Sequence, residues 1–405
     1  MQVRSVLAVA FGLILAAAGD STAQAQETLG QSVAVPAQPG PHWMWVADAV
    51  LRRAVIVDGD DARFIGSVPG GNGIIAPHRS LDGREIYTAE TYYAHGTRGK
   101  RTDLVSVRDG RTLAVTAEVE IPGKRSEHTS WVGGSALSDD GRFLAVYNMN
   151  PATSLSIVDL AERRFAGEIE IPGCAAVFAA GARRFFSLCG DGTALAVTID
   201  DRGAEAAKGK TERFFDPNAD PVIEKGVRHG DRWLFASFEG LIHAVDVSGE
   251  TLRFEPTWPL TSEGDRKASW KIGGMQPLAV HTPSGRLYAL MHQGGADSHK
   301  QSGTEVWIYD LAKRERSGRF ALRSPAAAIV RQQAKLTPGG ALDWILERTL
   351  PNEGVERIAV TQDASPQLFT ATQFPPATAI YDATSGAYLR DVPEVGLATN
   401  LVLPY

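Results

Sequence analysis

Short apolar strands and polar turns alternate along this chain, and two turn-linked patterns recur in a fixed order. The first is a strand ending in or near aspartate: Asp58 in AVIVDG, Asp109 in LVSVRDG, Asp159 in LSIVDL, Asp200 in AVTID, Asp246 in IHAVDV, Asp310 in VWIYDL and Asp382 in AIYDAT. Successive spacings are 51, 50, 41, 46, 64 and 72 residues. The first four suit a propeller blade of roughly 40–50 residues. The second pattern, a turn followed by an apolar strand, precedes most of these: LDGREIYTAE at Leu81, SDDGRFLAVYN at Ser138, GARRFFSLC at Gly181, GDRWLFASFEG at Gly230, PSGRLYALMH at Pro283 and DASPQLFTAT at Asp363. Two markers alternating in constant order favour a radial array over a sandwich.

The clearest copy of the unit runs from Thr153 to Gly192 and reads as one four-stranded blade. Its first strand, SLSIVD, sets Leu155 and Ile157 on one face and serines on the other, and Pro172–Gly173 breaks the unit between its halves. The two long intervals require insertions, Thr257–Gly274 and Arg331–Gly354, the second with a helix predicted over Ala341–Arg348. Such inserts lie on the faces of a propeller, where partners bind. The last run, Leu397–Tyr405, has no hairpin partner of its own; it is expected to complete the blade begun by Trp45–Asp58 and so remove two sheet edges. The fold predicted is all-β: a seven-bladed β-propeller over residues 44–405, its ring closed by the C-terminal strand.

The N-terminus changes the compartment. Arg4 precedes an apolar run from Val6 to Ala18, and Ala23-Gln24-Ala25 offers a small-residue cleavage site. This reads as a signal peptide over residues 1–25, with a Gln-, Gly- and Pro-rich extended arm over 26–43. No later run is long enough to suggest a membrane helix, so the mature protein is expected to be soluble. Export permits a disulfide between Cys174 and Cys189, which the repeat puts on neighbouring strands; buried free thiols are the alternative. A bridge closing so short a loop stabilises by roughly 3 kcal/mol on the chain-entropy account.

The formal net charge of −6 argues against nucleic acid, whose phosphates need a concentrated basic surface. The densest basic run, Arg98, Lys100 and Arg101, reads as a solvated loop. Gly71-Asn72-Gly73-Ile74-Ile75-Ala76 matches GxGxxA, but Pro77 leaves no room for the helix a dinucleotide site needs, so it reads as a loop. His292 and His299, with Asp297 between them, read as single hydrogen-bonding residues because no further ligand is placed to complete a metal site. Asp58, Asp60 and Asp61 lack the later ligands of a calcium loop and read as a polar turn. No GxSxG elbow and no phosphate loop occur. The chain carries no self-contained catalytic or metal constellation in this reading.

Four stretches carry a family resemblance: Tyr87–Asp109, Asn148–Leu160, the GC and CGDG pair around Cys174 and Cys189, and Met291–Asp310. Together they resemble the large subunit of quinoprotein amine dehydrogenases, the methylamine and aromatic amine enzymes. The resemblance implies a periplasmic heterotetramer of two large and two small subunits that oxidises primary amines to aldehyde and ammonia. The implied cofactor, tryptophan tryptophylquinone, belongs to the small subunit, so no catalytic or cofactor-binding residue is expected here, and the eight tryptophans are expected in core or interface. The implied electron acceptor is a small copper protein. The large subunit of the family helps wall the substrate channel. Relatives place a Phe in the loop corresponding to Gly70–Gly73, where this chain has GGNG, so Gly71, Asn72 and Gly73 are the candidate channel residues. Two readings compete with this one: a stand-alone periplasmic binding propeller, and a lactonase-like propeller enzyme.

Overall fold

The computed structural model describes residues 38–405 except 129–131, 375, 394 and 395. The expected signal peptide and most of the expected arm lie outside the described residues. Seven antiparallel sheets of four or five strands follow one another along the chain. Blade 2 comprises His78–Arg79, Glu85–Tyr93, Arg101–Asp109 and Val115–Ile121 from first to fourth strand; blade 3 comprises Ser135–Leu137, Phe143–Asn148, Ser154–Asp159 and Arg164–Glu170. Around a central axis, first strands touch one another between blades 3 and 4 and from blade 5 through 6 and 7 to blade 1, and fourth strands lie outermost.

Each blade is covered on both faces, which explains why the middle strands are apolar on both sides. Alternate residues of one strand serve different neighbours: Phe143, Ala145 and Tyr147 pack toward blade 4, whereas Leu144 and Val146 pack toward blade 2. The buried apolar residues divide in this way into seven layers, one between each pair of adjacent blades. The outer strand Arg164–Glu170 buries only Ile169 fully.

The ring closes as the pattern predicts. Thr399–Pro404 forms the innermost strand of blade 1, antiparallel to Trp43–Asp48, with Val46 opposite Val402. The strand begins at Trp43, two residues before the Trp45 at which the pattern starts this blade. Gln276 staples the closure: its Nε2 donates to Val402 O at 2.7 Å and Ile358 O at 3.2 Å, and its Oε1 accepts from Val402 N.

Two expectations change. Thr153–Gly192 is not one blade: Ser154–Asp159 and Arg164–Glu170 are the outer half of blade 3, and Cys174–Ala179 with Arg184–Cys189 the inner half of blade 4. Four short strands have the same local pattern wherever counting starts, and the phase is set by the closing strand, hundreds of residues away. The helix expected in the second insert is present, and a further helix precedes it, so the excursion begins before Arg331. These are α2, Pro325–Gln333, and α3, Ala341–Thr349, while α1, Glu263–Lys267, lies in the first insert. The missed α2 carries a start signal, Ser324 as N-cap followed by Pro325 at the first helical position.

Cys174 and Cys189 face each other in register on the first two strands of blade 4 and are disulfide-bonded. Six of the seven marker aspartates end third strands and Asp200 follows the last residue of one, Ile199; their carboxylates accept backbone N–H groups of the following turn. Asp109 Oδ1 accepts from Arg111 N at 3.0 Å and Thr112 N at 2.7 Å, and Asp382 Oδ1 from Thr384 and Ser385. Asp58, Asp159, Asp200, Asp246 and Asp310 do the same.

Candidate functional site

Antiparallel strands send their connections alternately to two faces. Turns joining first to second and third to fourth strands form one, the turn face. Connections from second to third strands, and from one blade to the next, form the other, the loop face. The loop face carries Gly70–Pro77 between blades 1 and 2, the hairpin end Ala94–Lys100, and both long inserts.

Gly71, Asn72 and Gly73 lie against the end of the second strand of blade 2 and the segment Arg125–Glu127. Asn72 N donates to Thr91 O at 2.6 Å and Ile74 N to Glu127 O at 2.8 Å. Both glycines are required. A Cβ on Gly71 (φ 65°) would stand 2.2 Å from Thr91 O, and one on Gly73 (φ 89°) 1.9 Å from Glu127 O. Asn72 is 7 % exposed, and its Nδ2 donates to Gly96 O at 2.9 Å, tying the hairpin end to the loop. The segment is therefore a tightly held wall of main chain, with few side-chain atoms to present.

Two neighbours of this loop escaped the sequence reading. Tyr92 is 38 % exposed, and its ring edge lies 3.2 Å from the place a Gly71 Cβ would occupy. Its hydroxyl donates to Glu90 Oε2 at 2.5 Å, while fully buried Glu90 also accepts from Thr88 Oγ1 and Arg108 Nη2. Burial and the Glu90 carboxylate both push the Tyr92 phenol up, so it stays protonated. The spacing of Thr88, Glu90 and Tyr92, every second residue on one strand face, is the signal that could have found this group. Arg125, the other neighbour, is buried beneath the loop. Arg101, read as part of a solvated run, instead forms a two-pronged pair with fully buried Asp103, both bonds 2.8 Å. A carboxylate two residues along the same strand was the missed cue; Arg98 and Lys100 are exposed.

The second insert is fixed by a buried ionic cluster. Arg331, 2 % exposed, donates to Asp391 at 2.7 and 3.0 Å, to Asp343 at 2.7 Å and to Glu347 at 2.9 Å. Arg323 adds bonds to Asp343 and Glu347. Burial pushes the Asp343 carboxyl up, but hydrogen bonds from Arg323, the Gly339 N–H and Arg331 outweigh it and hold the group at about 2. With its charges satisfied below, α3 turns Leu342, Trp344 and Ile345 to solvent.

The other candidates are structural in their contacts. His292 is hydrogen-bonded to Ser298 at 2.9 Å, and His299 stacks on Phe238 with ring centroids 3.4 Å apart. Asp58 accepts from Trp43 Nε1, Asp60 pairs with His42, and Asp61 with Arg63. No group of three or more His, Cys, Asp or Glu able to hold a metal occurs among the described residues. Trp43, Trp45, Trp258 and Trp307 are buried between blades, Trp233 and Trp270 are partly buried, and Trp344 is exposed; Trp131 lies outside the described residues. A cavity of about 350 Å³ is lined mostly by apolar residues of the inner strands, such as Leu278, Val280, Ile358 and Val402, with Lys225, Arg228, Gln276 and Gln362 also at its wall.

Comparison with known proteins agrees with this geometry. Solved structures with the same architecture include the dihydro-heme d1 dehydrogenase NirN (TM-score 0.52, 16 % identity, 91 % of this chain and 75 % of that one). A functionally unknown protein from Desulfotomaculum acetoxidans is also similar (TM-score 0.57, 13 % identity, 89 % and 98 %). At such identities the likeness shows the fold alone. Among curated proteins, the methylamine dehydrogenase heavy chain of Methylorubrum extorquens is 27 % identical over 360 residues, covering 88 % of this chain and 80 % of that protein. That of Paracoccus versutus is 26 % identical, covering 87 % and 76 %. Residues 44–337 match the family described as methylamine dehydrogenase heavy chain (MADH). The chain therefore belongs to the methylamine dehydrogenase heavy chain family, as a heavy subunit of an amine dehydrogenase.

Proposed function

We propose that this heavy chain acts in the periplasm, released from a signal peptide over residues 1–25 and keeping an extended arm over 26–43, as the noncatalytic scaffold of a primary-amine dehydrogenase. The propeller over 44–405 seats a small subunit on its loop face, in an assembly of two large and two small subunits. The small subunit's tryptophan tryptophylquinone supplies the redox chemistry that yields aldehyde and ammonia, and a small copper protein takes the electrons. On this chain, the wall Gly71–Asn72–Gly73 borders the route by which amine reaches the partner and keeps bulk water from it.

The observation that supports a docked partner is the asymmetry of exposed apolar side chains. Of the twelve large hydrophobic residues exposed among the described residues, nine belong to the loop face or its insert. Val50, Leu51, Tyr92, Met149, Phe374 and Leu397 sit in or beside its connections, with Leu342, Trp344 and Ile345 on α3. Only Phe64, Leu81 and Val115 lie toward the turn face. An apolar surface gathered on one side is what a stable partner covers.

The test is to express the chain with its native neighbouring genes, purify it from the periplasm through a tag on this subunit, and record the visible spectrum before and after adding methylamine and larger primary amines. A co-purifying small subunit with a quinone band that amine bleaches is the expected result. A colourless single chain sinks the proposal and leaves a stand-alone binding propeller.

A further inference from the structure

The wall Gly70–Ile74 has almost no side chains with which to hold itself. Its N–H groups at Asn72 and Ile74 are taken by Thr91 O and Glu127 O. The carbonyls of the same two residues converge on the guanidinium of Arg125: Nη2 donates to Asn72 O at 3.0 Å and Nη1 to Ile74 O at 3.1 Å, while Nε donates to Thr91 Oγ1 at 3.0 Å. Arg125 is 5 % exposed. Its own main chain is fixed in turn, the N–H donating to Asp103 Oδ2 at 2.8 Å and the carbonyl accepting from Arg101 Nη2 at 2.7 Å.

This is an unusual use of a buried cation. The three groups receiving the guanidinium's bonds are two carbonyls and a hydroxyl, with no carboxylate among them. Burial draws the Arg125 pKa down to about 10, opposed by the charge of Asp103, so the group is still cationic near neutrality. A planar fork can reach two carbonyls two residues apart; an ammonium cannot hold both in the same directions. Each carbonyl left without its donor in a buried setting weakens the loop further.

We propose that Arg125 is the positioning residue of the substrate route: by clamping both carbonyls of the glycine wall, it sets the width of the passage and hence how tightly the amine is held before it reacts. The proposal rests on the reading of Gly71–Gly73 as a channel wall. It assigns Arg125 no contact with substrate and no part in the chemical step.

The test uses the assembled enzyme, normalised to quinone content, with Arg125→Lys and Arg125→Met. The expected result is a KM for methylamine raised about tenfold in Arg125→Met, the scale of losing hydrogen bonds from a charged donor, with kcat within about twofold. Arg125→Lys is expected to fall between that variant and wild type. Hydrogen exchange of a peptide spanning residues 70–77 is expected to quicken at least about tenfold in both variants, while peptides of blade 4 are unchanged. A residue that only supports folding would lower the yield of complex and leave KM per quinone and the exchange of that peptide as in wild type; that result overturns the proposal. If Arg125→Met does not assemble, the exchange of Arg125→Lys decides in the same way. A wild-type complex without an amine-bleached band fails the functional reading itself, whatever the variants show.

Discussion

The two faces of the propeller solve the same problem differently. Every strand end leaves backbone groups that must be paired. On the turn face the pairing is local: an aspartate at the end of the third strand accepts the N–H groups two or three residues later, and this happens in all seven blades. On the loop face it is remote. Arg125 reaches Asn72 across 53 positions, Asn72 reaches Gly96 across 24, and Arg331 reaches Asp391 across 60. Locally satisfied turns repeat because each needs only its own few residues. Remotely satisfied loops vary from blade to blade, and that freedom lets one face carry a wall, a tethered hairpin and a helical insert.

The sharpest way to test this division is to remove a turn aspartate. Asp159 is fully buried, accepts from Ala161 and Glu162 N at 3.2 Å each, and receives Arg142 Nη2 at 3.1 Å. Asp159→Ala deletes the cap and leaves Arg142 to find solvent, which its partial exposure allows. The expected cost is about 2 kcal/mol of stability, read as a lower denaturant midpoint. Partner retention and KM for amine are expected to stay at wild-type values. A changed KM would break the assignment of structure to one face and function to the other.

What the sequence discloses follows the same line. The seven aspartates and the turn-strand pairs give the blade number and put the cysteines on neighbouring strands, because each rests on residues that are neighbours in the chain or in a repeat; the closing strand shows only as a last run left without a hairpin partner. The starting phase of the blades is not legible from Thr153–Gly192, since it depends on Val402 lying opposite Val46. The glycine wall shows in the sequence only as flexibility. Its rigidity comes from Arg125 and Glu127, whose role no local pattern announces. Helix α2 was within reach through Ser324–Pro325, but its anchor, Arg331 against Asp391, was not.

A smaller effect tests whether the insert belongs to the docking side. Trp344 is 57 % exposed, and its ring carries the Arg348 guanidinium at 3.9 Å from the centroid. Trp344→Ser removes apolar surface without touching the Arg331 cluster. Stability is expected to change by no more than about 0.5 kcal/mol, while the small subunit is expected to dissociate several-fold more readily, on the order of 1 kcal/mol for a contributing interface aromatic. The ratio of the two subunits after dilution and size separation reads this directly. Unchanged retention removes α3 from the interface and confines docking to the loops of blades 7, 1, 2 and 3.

The smallest effect lies on the turn face, where one residue ties the two ends of the ring by charge. His42 Nδ1 is hydrogen-bonded to Asp60 of blade 1 at 2.7 Å, and its Nε2 to Asp363, before the second strand of blade 7, at 3.0 Å. Burial pulls its pKa down, but the Asp60 hydrogen bond, the charges of Asp363 and Asp60, and the Ser365 carbonyl outweigh that and raise it above 6.5. A group protonated more readily in the fold than in the unfolded chain contributes fully below the unfolded pKa and is lost as pH rises through the folded one. His78 has the opposite sign: burial draws it down to about 4, so its penalty grows as pH falls from 6.5 toward that value. The two can therefore be separated by direction. In His42→Gln the stability lost above pH 6.5, less than about 1 kcal/mol for a pair with a solvent-exposed partner, is expected to vanish, while the acid limb set by His78 persists. Denaturant midpoints at intervals from pH 4 to 9 decide it: parallel curves for wild type and variant would mean that the clasp is held by shape rather than charge, and that the turn face owes nothing to long-range electrostatics.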